Sequence, residues 1–442
     1  GQGVPQNDKT AVKWYKLSAE QGNSRAQFSL GQMYNNGEGV SQNHKTAVKW
    51  YKLAAKQGDA PAQYNLGWNY RNGQGVSRDY KTAVKCYELA AKQGNARAQF
   101  SLGQMHRKGE GVAHTYMTAV KWFRLAAKQG HAPAQFSLGQ MYRNGQGLAR
   151  NDKTAVKWYT LAAEQGNAYA QNNLAWNYRN GQGVPQDDKT AVRWYTLAAK
   201  QGNVRAQFSL GQMYGKGECV PQNHKTAMKW YTLAAEQGHA NAQFSLGWMY
   251  DEGKGVTRND KTAVQWLTLA AGQGDPYAQN NLGWMYKEGL GVTRNYKTAV
   301  KWYTLSAKQG HANAQTNLGW MYKEGLGVPQ HQKTGVSQDY VTAAKWYTLA
   351  AEQEHAPAQS TLGVMYAEGK GVLRNDKTAV KWYKLAAELG DSSAQFNLGV
   401  MYDEGKGVSQ NEKTALKCYT LAAEQKDARA QTNLGDTKSA NE

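Results

Sequence analysis

The sequence predicts an all-α protein in which about twelve 36-residue helix-turn-helix repeats stack into an α/α superhelical solenoid. Two observations predict it: tryptophans recur every 36 residues, and each period holds two helical patterns separated by glycine. The tryptophans on this grid are Trp14, Trp50, Trp122, Trp158, Trp194, Trp230, Trp266 and Trp302. Cys86 stands at the one place in this series where tryptophan is missing. After eight extra residues, the 36-residue spacing resumes at Trp346, Trp382 and Cys418.

The first half of each repeat reads as one amphipathic helix, here called helix A. In the unit 43–78, the residues from Lys45 to Gln57 are strong helix formers with apolar residues at i, i+3, i+4 and i+7. Asn or Asp just upstream, as at Asn7 or Asn151, supplies the N-cap, with the following Thr as a rival candidate. Gly58 is expected to end the helix in the left-handed conformation.

The second half of each repeat reads as a second helix, here called helix B. Asp59 is a second N-cap candidate, and Pro61 is tolerated because the amides of a first turn have no partner within the helix. The pattern predicts a helix to about Tyr70, and Gly73 and Gly75 then mark a short loop. Two antiparallel helices per repeat follow from these signals.

Some positions carry the same residue in all twelve repeats, and these are expected to form the core. Leu53 and Leu66 have a Leu equivalent throughout, and Ala47, Ala55 and Ala62 have Ala. Small residues let the two helices approach closely, and the leucines are expected to fill the remaining space. The Trp position accepts Cys twice, so we expect its ring at a seam between repeats or partly facing a groove. Gln63 and its copies are expected to bond a neighbouring backbone.

The repeated pattern A-V-K-W-Y-x-L-A-A-x-Q-G-x-A-x-A-Q-x-x-L-G-x-M-Y-x-x-G-x-G-V closely resembles the Sel1-like repeat, a relative of the tetratricopeptide repeat. The resemblance covers residues 1–435 and leaves 436–442 as a short polar tail. It implies a right-handed α/α superhelical solenoid that serves as a protein-interaction scaffold, common in bacteria and frequently exported to the periplasm or secreted. Since the chain opens within a repeat's loop, any leader is expected to lie outside this sequence.

Three departures from the pattern carry structural expectations. Glu354 and Lys426 stand where the glycine that ends helix A belongs. Near residues 328–343 the chain carries eight extra residues, which predict a longer loop or a bent junction.

A stripe of cationic residues runs along helix A in repeats 2 to 4, and it is the candidate partner-binding site. Positions 45, 49, 52 and 56 follow i, i+4, i+7 and i+11, which places them opposite the alanines. By resemblance, helix A lines the concave side of the solenoid, so the stripe is expected to face a groove. The candidate residues are Lys45, Lys49, Lys52, Lys56, Lys81, Lys85, Lys92, Lys121, Arg124 and Lys128, with Trp50 and Trp122 as apolar anchors.

The charge pattern leaves three interpretations open. The chain has a formal charge of +20; residues 1–200 carry 27 Lys and Arg against 11 Asp and Glu, and residues 201–442 carry 26 against 22. The stripe fits a groove for another protein's acidic, extended or helical peptide. It equally fits a solvated lysine surface that confers solubility. The third interpretation is a binder of an anionic polymer, either nucleic acid or an acidic polysaccharide.

The sequence predicts a protein without enzymatic activity. A catalytic site is singular, whereas almost every feature here occurs twelve times, so we predict no catalytic residue and no cofactor. The nine histidines do not pair at the spacing of metal ligands, and no metal site is predicted. No apolar run approaches the ~18–20 residues that a membrane-spanning helix needs.

Overall fold

The computed structural model describes residues 7–329 and 338–439, and every element of regular structure in them is an α-helix. The chain forms two compact units, Gly1–Leu210 and Gly211–Glu442. Odd-numbered helices are helix A of a repeat and even-numbered ones helix B. Repeats 1 to 6 contain α1 Asp8–Glu20, α2 Ser24–Asn36, α3 His44–Lys56, α4 Ala60–Asn72, α5 Tyr80–Lys92, α6 Ala96–Lys108, α7 Tyr116–Lys128, α8 Ala132–Asn144, α9 Asp152–Glu164, α10 Ala168–Asn180, α11 Asp188–Lys200 and α12 Val204–Lys216. Repeats 7 to 12 contain α13 His224–Glu236, α14 Ala240–Glu252, α15 Asp260–Gly272, α16 Pro276–Glu288, α17 Tyr296–Lys308, α18 Ala312–Glu324, α19 Tyr340–Ala351, α20 Ala356–Glu368, α21 Asp376–Glu388, α22 Ser392–Asp403, α23 Glu412–Glu424 and α24 Ala428–Ser439. The predicted solenoid of helix pairs is confirmed.

The helix ends are set by the residues that the sequence singled out. Asn43 accepts a hydrogen bond from the Thr46 amide at 3.0 Å, and Asp59 accepts one from the Ala62 amide at 2.7 Å. These bonds satisfy first-turn amides, which confirms Asn and Asp as the N-caps. Gly58 has φ +90°, the left-handed conformation predicted for it.

Among the residues that the structure describes, three that are not glycine adopt the left-handed conformation that glycine holds elsewhere in the repeats. Glu354 has φ 60° and Lys426 has φ 67°, at the positions where the other repeats end helix A with Gly. Cys219, which replaces a loop glycine, has φ 66°. A residue with a Cβ pays a steric cost in this region, on the order of 1–2 kcal/mol.

The core lies where helix A packs on helix B of its own repeat, and where helix B packs on helix A of the next one within each unit. Ala47 and Ala62 are fully buried, and Leu66 is 7% exposed, so the predicted close approach on small residues is confirmed. Tyr51 is also buried, at 1% exposure. A methyl group added to Gly31 of the preceding helix B would lie 2.7 Å from two carbons of the Tyr51 ring. The contact between helix B and the next helix A is therefore formed by the backbone at a glycine of helix B and an aromatic ring of helix A.

The prediction that Leu53 fills the core is wrong, since 46% of this residue is exposed. Each helical residue is turned about 100° from the last, so the buried arc of α3 is taken by Ala47, Tyr51 and Ala54. Leu53 lies about 200° beyond Tyr51 and therefore points to the opposite side. The large buried side chain of helix A is the tyrosine.

Paired glutamines connect consecutive repeats. Gln63 donates from Nε2 to the Ala55 carbonyl at 3.2 Å, which confirms the predicted backbone bond. Its Oε1 accepts from Gln93 Nε2 of the next repeat at 2.8 Å. The same side-chain bond recurs as Gln57–Gln27, Gln129–Gln99, Gln165–Gln135, Gln201–Gln171, Gln273–Gln243, Gln309–Gln279, Gln353–Gln315 and Gln425–Gln395. We call this series the glutamine ladder.

The ladder also spans the eight-residue insertion. Most of the predicted longer loop, residues 330–337, lies outside the described residues. The flanking repeats nevertheless keep their bond, since Gln353 Nε2 donates to Gln315 Oε1 at 2.8 Å. At the other end, α24 continues to Ser439, so four positions of the predicted 436–442 tail are helical and residues 440–442 lie outside the description.

The ladder loses one rung at Leu389, and this predicts a stabilising substitution. Leu389 occupies the position of the donor glutamine, and the buried Gln359 Oε1 in the preceding repeat has no hydrogen-bond partner. We expect Leu389→Gln to raise the free energy of unfolding by about 1 kcal/mol, because a buried acceptor gains its donor. Urea denaturation, or hydrogen exchange of the α20 amides, measures this change.

The matched control removes a rung that is present. In Gln309→Leu, Gln279 Oε1 loses its 2.8 Å bond, and stability is expected to fall by a similar amount. If Leu389→Gln were neutral while Gln309→Leu destabilised, the missing rung would carry no cost.

Histidine N-caps predict a dependence of stability on pH. The Nδ1 of His131 accepts the Ala134 amide at 3.3 Å, and burial lowers the pKa of His131 below its ordinary value of 6.5. The unfolded chain therefore takes up a proton before the folded one does, so stability falls as pH drops below 6.5. We expect His131→Asn to reduce this loss, because Asn caps the helix at either pH, as Asn167 does in α10.

Thermal unfolding of both proteins at pH 7.5 and pH 5.5 measures the difference. The reverse change, Asn167→His, is expected to add pH sensitivity. Equal losses in wild type and His131→Asn would contradict the assignment.

Candidate interaction surface

The cationic residues of repeats 2 to 4 lie on the exposed side of helix A. The buried arc formed by Ala47, Tyr51 and Ala54 fixes the rotation of α3, and the equivalent residues do the same for α5 and α7. We define the lysine face as Lys45, Lys49, Lys52 and Lys56 on α3, Lys81, Lys85 and Lys92 on α5, and Lys121, Arg124 and Lys128 on α7. All ten side chains are exposed.

The charges of the lysine face are not neutralised by the chain itself. Within the described residues, no ion pair joins a lysine-face side chain to a carboxylate. Lys52 Nζ lies 5.6 Å from the centre of the Tyr70 ring, and Arg124 Nη2 donates to the Tyr142 hydroxyl at 3.2 Å. The one acidic side chain on the stripe is the half-buried Glu88. The lysine face is therefore a cationic surface available to an anionic group.

The two tryptophans predicted as anchors lie at seams between repeats. Trp50 is half-buried against the cluster of the preceding repeat that includes Leu30 and Met33. Trp122 packs in the same way against the cluster that includes Leu102. Where Cys86 replaces the tryptophan, its thiol is buried against the same kind of cluster. The seam placement is confirmed, and it leaves only part of each ring for a partner.

The structure adds a residue type to this surface that the sequence reasoning missed. Leu53 on α3, Leu89 on α5 and Leu125 on α7 are 46%, 52% and 47% exposed. Each stands four residues after a lysine-face lysine, such as Lys49 before Leu53. The i, i+4 spacing between each lysine and leucine could have revealed these exposed leucines from the sequence, because residues four apart lie on one side of a helix.

In the second unit, the same helix-A positions line shallow, open depressions in which lysines stand beside a glutamate. One depression is lined by Lys225, Met228, Lys229, Thr232, Leu233, Glu236 and Gly255. Another is lined by Lys377, Val380, Lys381, Lys384, Leu385, Glu388, Gly407 and Val408. Threonine and glutamate thus replace some of the cations, whereas the leucine is retained.

A second set of aromatic residues is exposed on helix B. Trp68, Trp248 and Trp284 are 38%, 36% and 37% exposed. Lys254 Nζ lies 4.1 Å from the centre of the Trp248 ring, close enough for a cation–π contact. These rings are on the other helix of the repeat and are separate from the lysine face.

The described residues hold no cluster of three or more His, Cys, Asp or Glu side chains that could bind a metal ion. His131 and His311 serve as N-caps of α8 and α18. Burial raises the pKa of the Cys86 thiol to about 11, which keeps it protonated and unreactive at neutral pH. Among the helices described, none is long and apolar enough to span a bilayer.

Comparison with known proteins agrees with the repeat pattern. The Sel1 repeat family matches residues 1–23, 24–59, 60–95, 96–131, 132–167, 168–203, 204–239, 240–275, 276–311, 312–355, 356–391 and 392–427. A crystal structure of a protective antigen present in uropathogenic Escherichia coli strains has a TM-score of 0.89 and 36% identity, covering 97% of this chain and 90% of that one. A Sel1 repeat protein from Oxalobacter formigenes has a TM-score of 0.55 and 34% identity, covering 72% of this chain and 90% of that one. No curated protein sequence matches the chain.

Proposed function

Because this chain belongs to the Sel1 repeat family, whose repeats generally mediate protein–protein interaction, we propose that it is an adaptor whose lysine face binds an acidic segment of another protein. The segment lies in extended or helical form across helix A of successive repeats. Recognition is spread over many repeats, as in other solenoids, and does not depend on one pocket.

The observation that supports this proposal is the set of ten exposed cations on helix A of three consecutive repeats. A single exposed ion pair contributes only about 0.2–1 kcal/mol, so one lysine would decide little. A regular array differs, because an acidic segment can meet several cations at once and is also steered toward the surface. The absence of ion pairs to the described part of the chain leaves these cations available.

The same surface gives no support to catalysis. Sel1 repeat scaffolds are typically non-catalytic. The cationic groups recur from repeat to repeat, and enzymes instead bring different groups together at one place. We therefore propose a scaffold and not an enzyme.

The competing interpretation, an anionic-polymer binder, differs in its salt dependence. Binding to nucleic acid releases condensed counterions, so its affinity falls as a steep power of salt concentration. Binding to a peptide that also makes apolar contacts depends on salt only modestly. Fluorescence anisotropy with an acidic peptide and with a single-stranded oligonucleotide, each over a range of salt, separates the two.

Reversing the central charges of the lysine face is expected to weaken binding of the acidic peptide. In Lys49→Glu/Lys85→Glu/Lys121→Glu, each of the three helices gains a carboxylate at the middle of the lysine face. We expect affinity for the acidic peptide to fall at least about tenfold, because attraction becomes repulsion at three sites. Anisotropy measures the affinity, and circular dichroism checks that the helices are intact.

The matched control makes the same change in net charge away from the lysine face. Lys108, Lys216 and Lys370 lie near helix-B ends, each within 4 Å of a glutamate. Lys108→Glu/Lys216→Glu/Lys370→Glu is expected to leave most of the affinity intact. Equal losses in the two variants would mean that overall charge, and not the lysine face, governs binding.

A further inference from the structure

The leucines on helix A form an exposed apolar row that runs through the lysine face. Eleven of the twelve equivalent leucines are 37–53% exposed, from Leu233 to Leu17. The exposed members are Leu17, Leu53, Leu89, Leu125, Leu161, Leu197, Leu233, Leu269, Leu305, Leu349 and Leu421. The helix-B leucines such as Leu102 are buried instead. We call the exposed set the leucine row.

Packing within the chain covers only part of each of these leucines, since 37–53% of the residue remains exposed. Other positions on the same side of helix A differ between repeats. The equivalent of Lys52 is Glu88, Arg124 or Thr160 in other repeats, and the equivalent of Lys56 is Glu164 or Gly272. The repeats therefore differ from one another on this side of helix A, so the recurrence of leucine does not follow from the repeats being identical. A solvated helix surface accepts any good helix former, and glutamine or lysine would serve as well as leucine. The exposed part of each leucine is therefore available to a partner.

The leucines stand among the cations. On α3, Leu53 lies four residues after Lys49 and three before Lys56, so the three share one side of the helix. In the second unit, Leu233 lines one depression together with Lys229. A group that approaches the lysine face therefore meets an aliphatic side chain beside each positive charge.

We infer that the partner is a polypeptide segment in which carboxylates alternate with apolar side chains, the carboxylates meeting the lysine face and the apolar groups covering the leucine row. This inference rests on the proposed function and specifies its partner. Nucleic acid and acidic polysaccharide present charge without aliphatic side chains, so they would leave the leucines in water. Burying exposed apolar area is favourable in proportion to the area removed from water, and the gain is repeated at each repeat.

The second unit supports the same partner chemistry. In the second unit, threonine replaces Lys52 at Thr232, Thr268, Thr304 and Thr348, and glutamate replaces Lys56 at Glu236, Glu352, Glu388 and Glu424. Cationic attraction is weaker there, whereas the leucine row continues. An anionic polymer would meet fewer cations on these repeats, whereas an amphipathic segment would still cover their leucines.

Two labelled peptides of equal length and charge test the inference on the full chain. One alternates Glu with Leu, and the other alternates Glu with Ser. We expect the Glu–Leu peptide to bind at least about tenfold more tightly by fluorescence anisotropy, since several leucines lose exposed area together. Equal affinities of the two peptides would overturn the inference.

Substituting the leucines on repeats 2 to 4 tests the same contact from the protein side. In Leu53→Gln/Leu89→Gln/Leu125→Gln the helices are preserved, because glutamine is a good helix former and the sites are exposed. We expect this variant to lose the preference for the Glu–Leu peptide while keeping its affinity for the Glu–Ser peptide. Leu373→Gln is the control, since Leu373 is 91% exposed in a loop and should not affect either affinity.

The outcomes separate this inference from the proposed function. If both peptides bind equally and the lysine-face reversal abolishes both, the acidic partner stands and the leucine row is overturned. If neither peptide binds but the oligonucleotide does, both proposals are overturned. If only the Glu–Leu peptide binds and the leucine variant loses it, the leucine row is supported whatever the lysine-face reversal does.

Discussion

The contact between helix B and the next helix A governs the rest of this structure. Gly67 on α4 faces Tyr87 on α5, and a methyl group on Gly67 would lie 2.9 Å from the ring. An α-carbon without a side chain lets the tyrosine ring lie against the helix backbone, and this close packing removes the ring from water. The buried tyrosine in turn fixes the rotation of helix A about its axis. Every residue on the opposite side, including the lysine face and the leucine row, is exposed as a consequence.

The glutamine ladder adds direction to this packing. Hydrophobic contacts are not directional, so they alone would tolerate small slips of one repeat along the next. A buried amide that must find both its carbonyl and the next glutamine does not tolerate them, because an unpaired buried polar group is costly. The ladder holds even across the insertion, where Gln353 and Gln315 are 38 residues apart and not 30. The exposed cations of helix A therefore hold the same position in each pair of repeats that a ladder bond joins.

Local signals in the sequence were enough to predict the repeat, its helix ends and the exposed cations. The Asn43 cap, the left-handed Gly58 and the exposed Lys49 each depend on neighbours within a few residues, so single-residue chemistry decides them. The large buried residue of helix A was not predicted. Leu53 is more apolar than Tyr51, yet Tyr51 is the one that faces a glycine on another helix. That choice depends on a partner surface 20 residues away in the sequence, Gly31, which periodicity within one helix does not reveal.

The two kinds of exposed residue on helix A have different physical ranges, and this gives them different roles in recognition. Attraction from the lysine face acts over about 8–10 Å at physiological salt, so in the proposed complex it draws in and orients an acidic segment before contact. The leucine row acts only on contact, because apolar burial requires water to be excluded. The number of cations on helix A varies from repeat to repeat, whereas the leucine is present in all twelve. In the proposed complex, a segment captured by the lysine face of repeats 2 to 4 is therefore held there by its apolar contacts with the leucines of the same repeats.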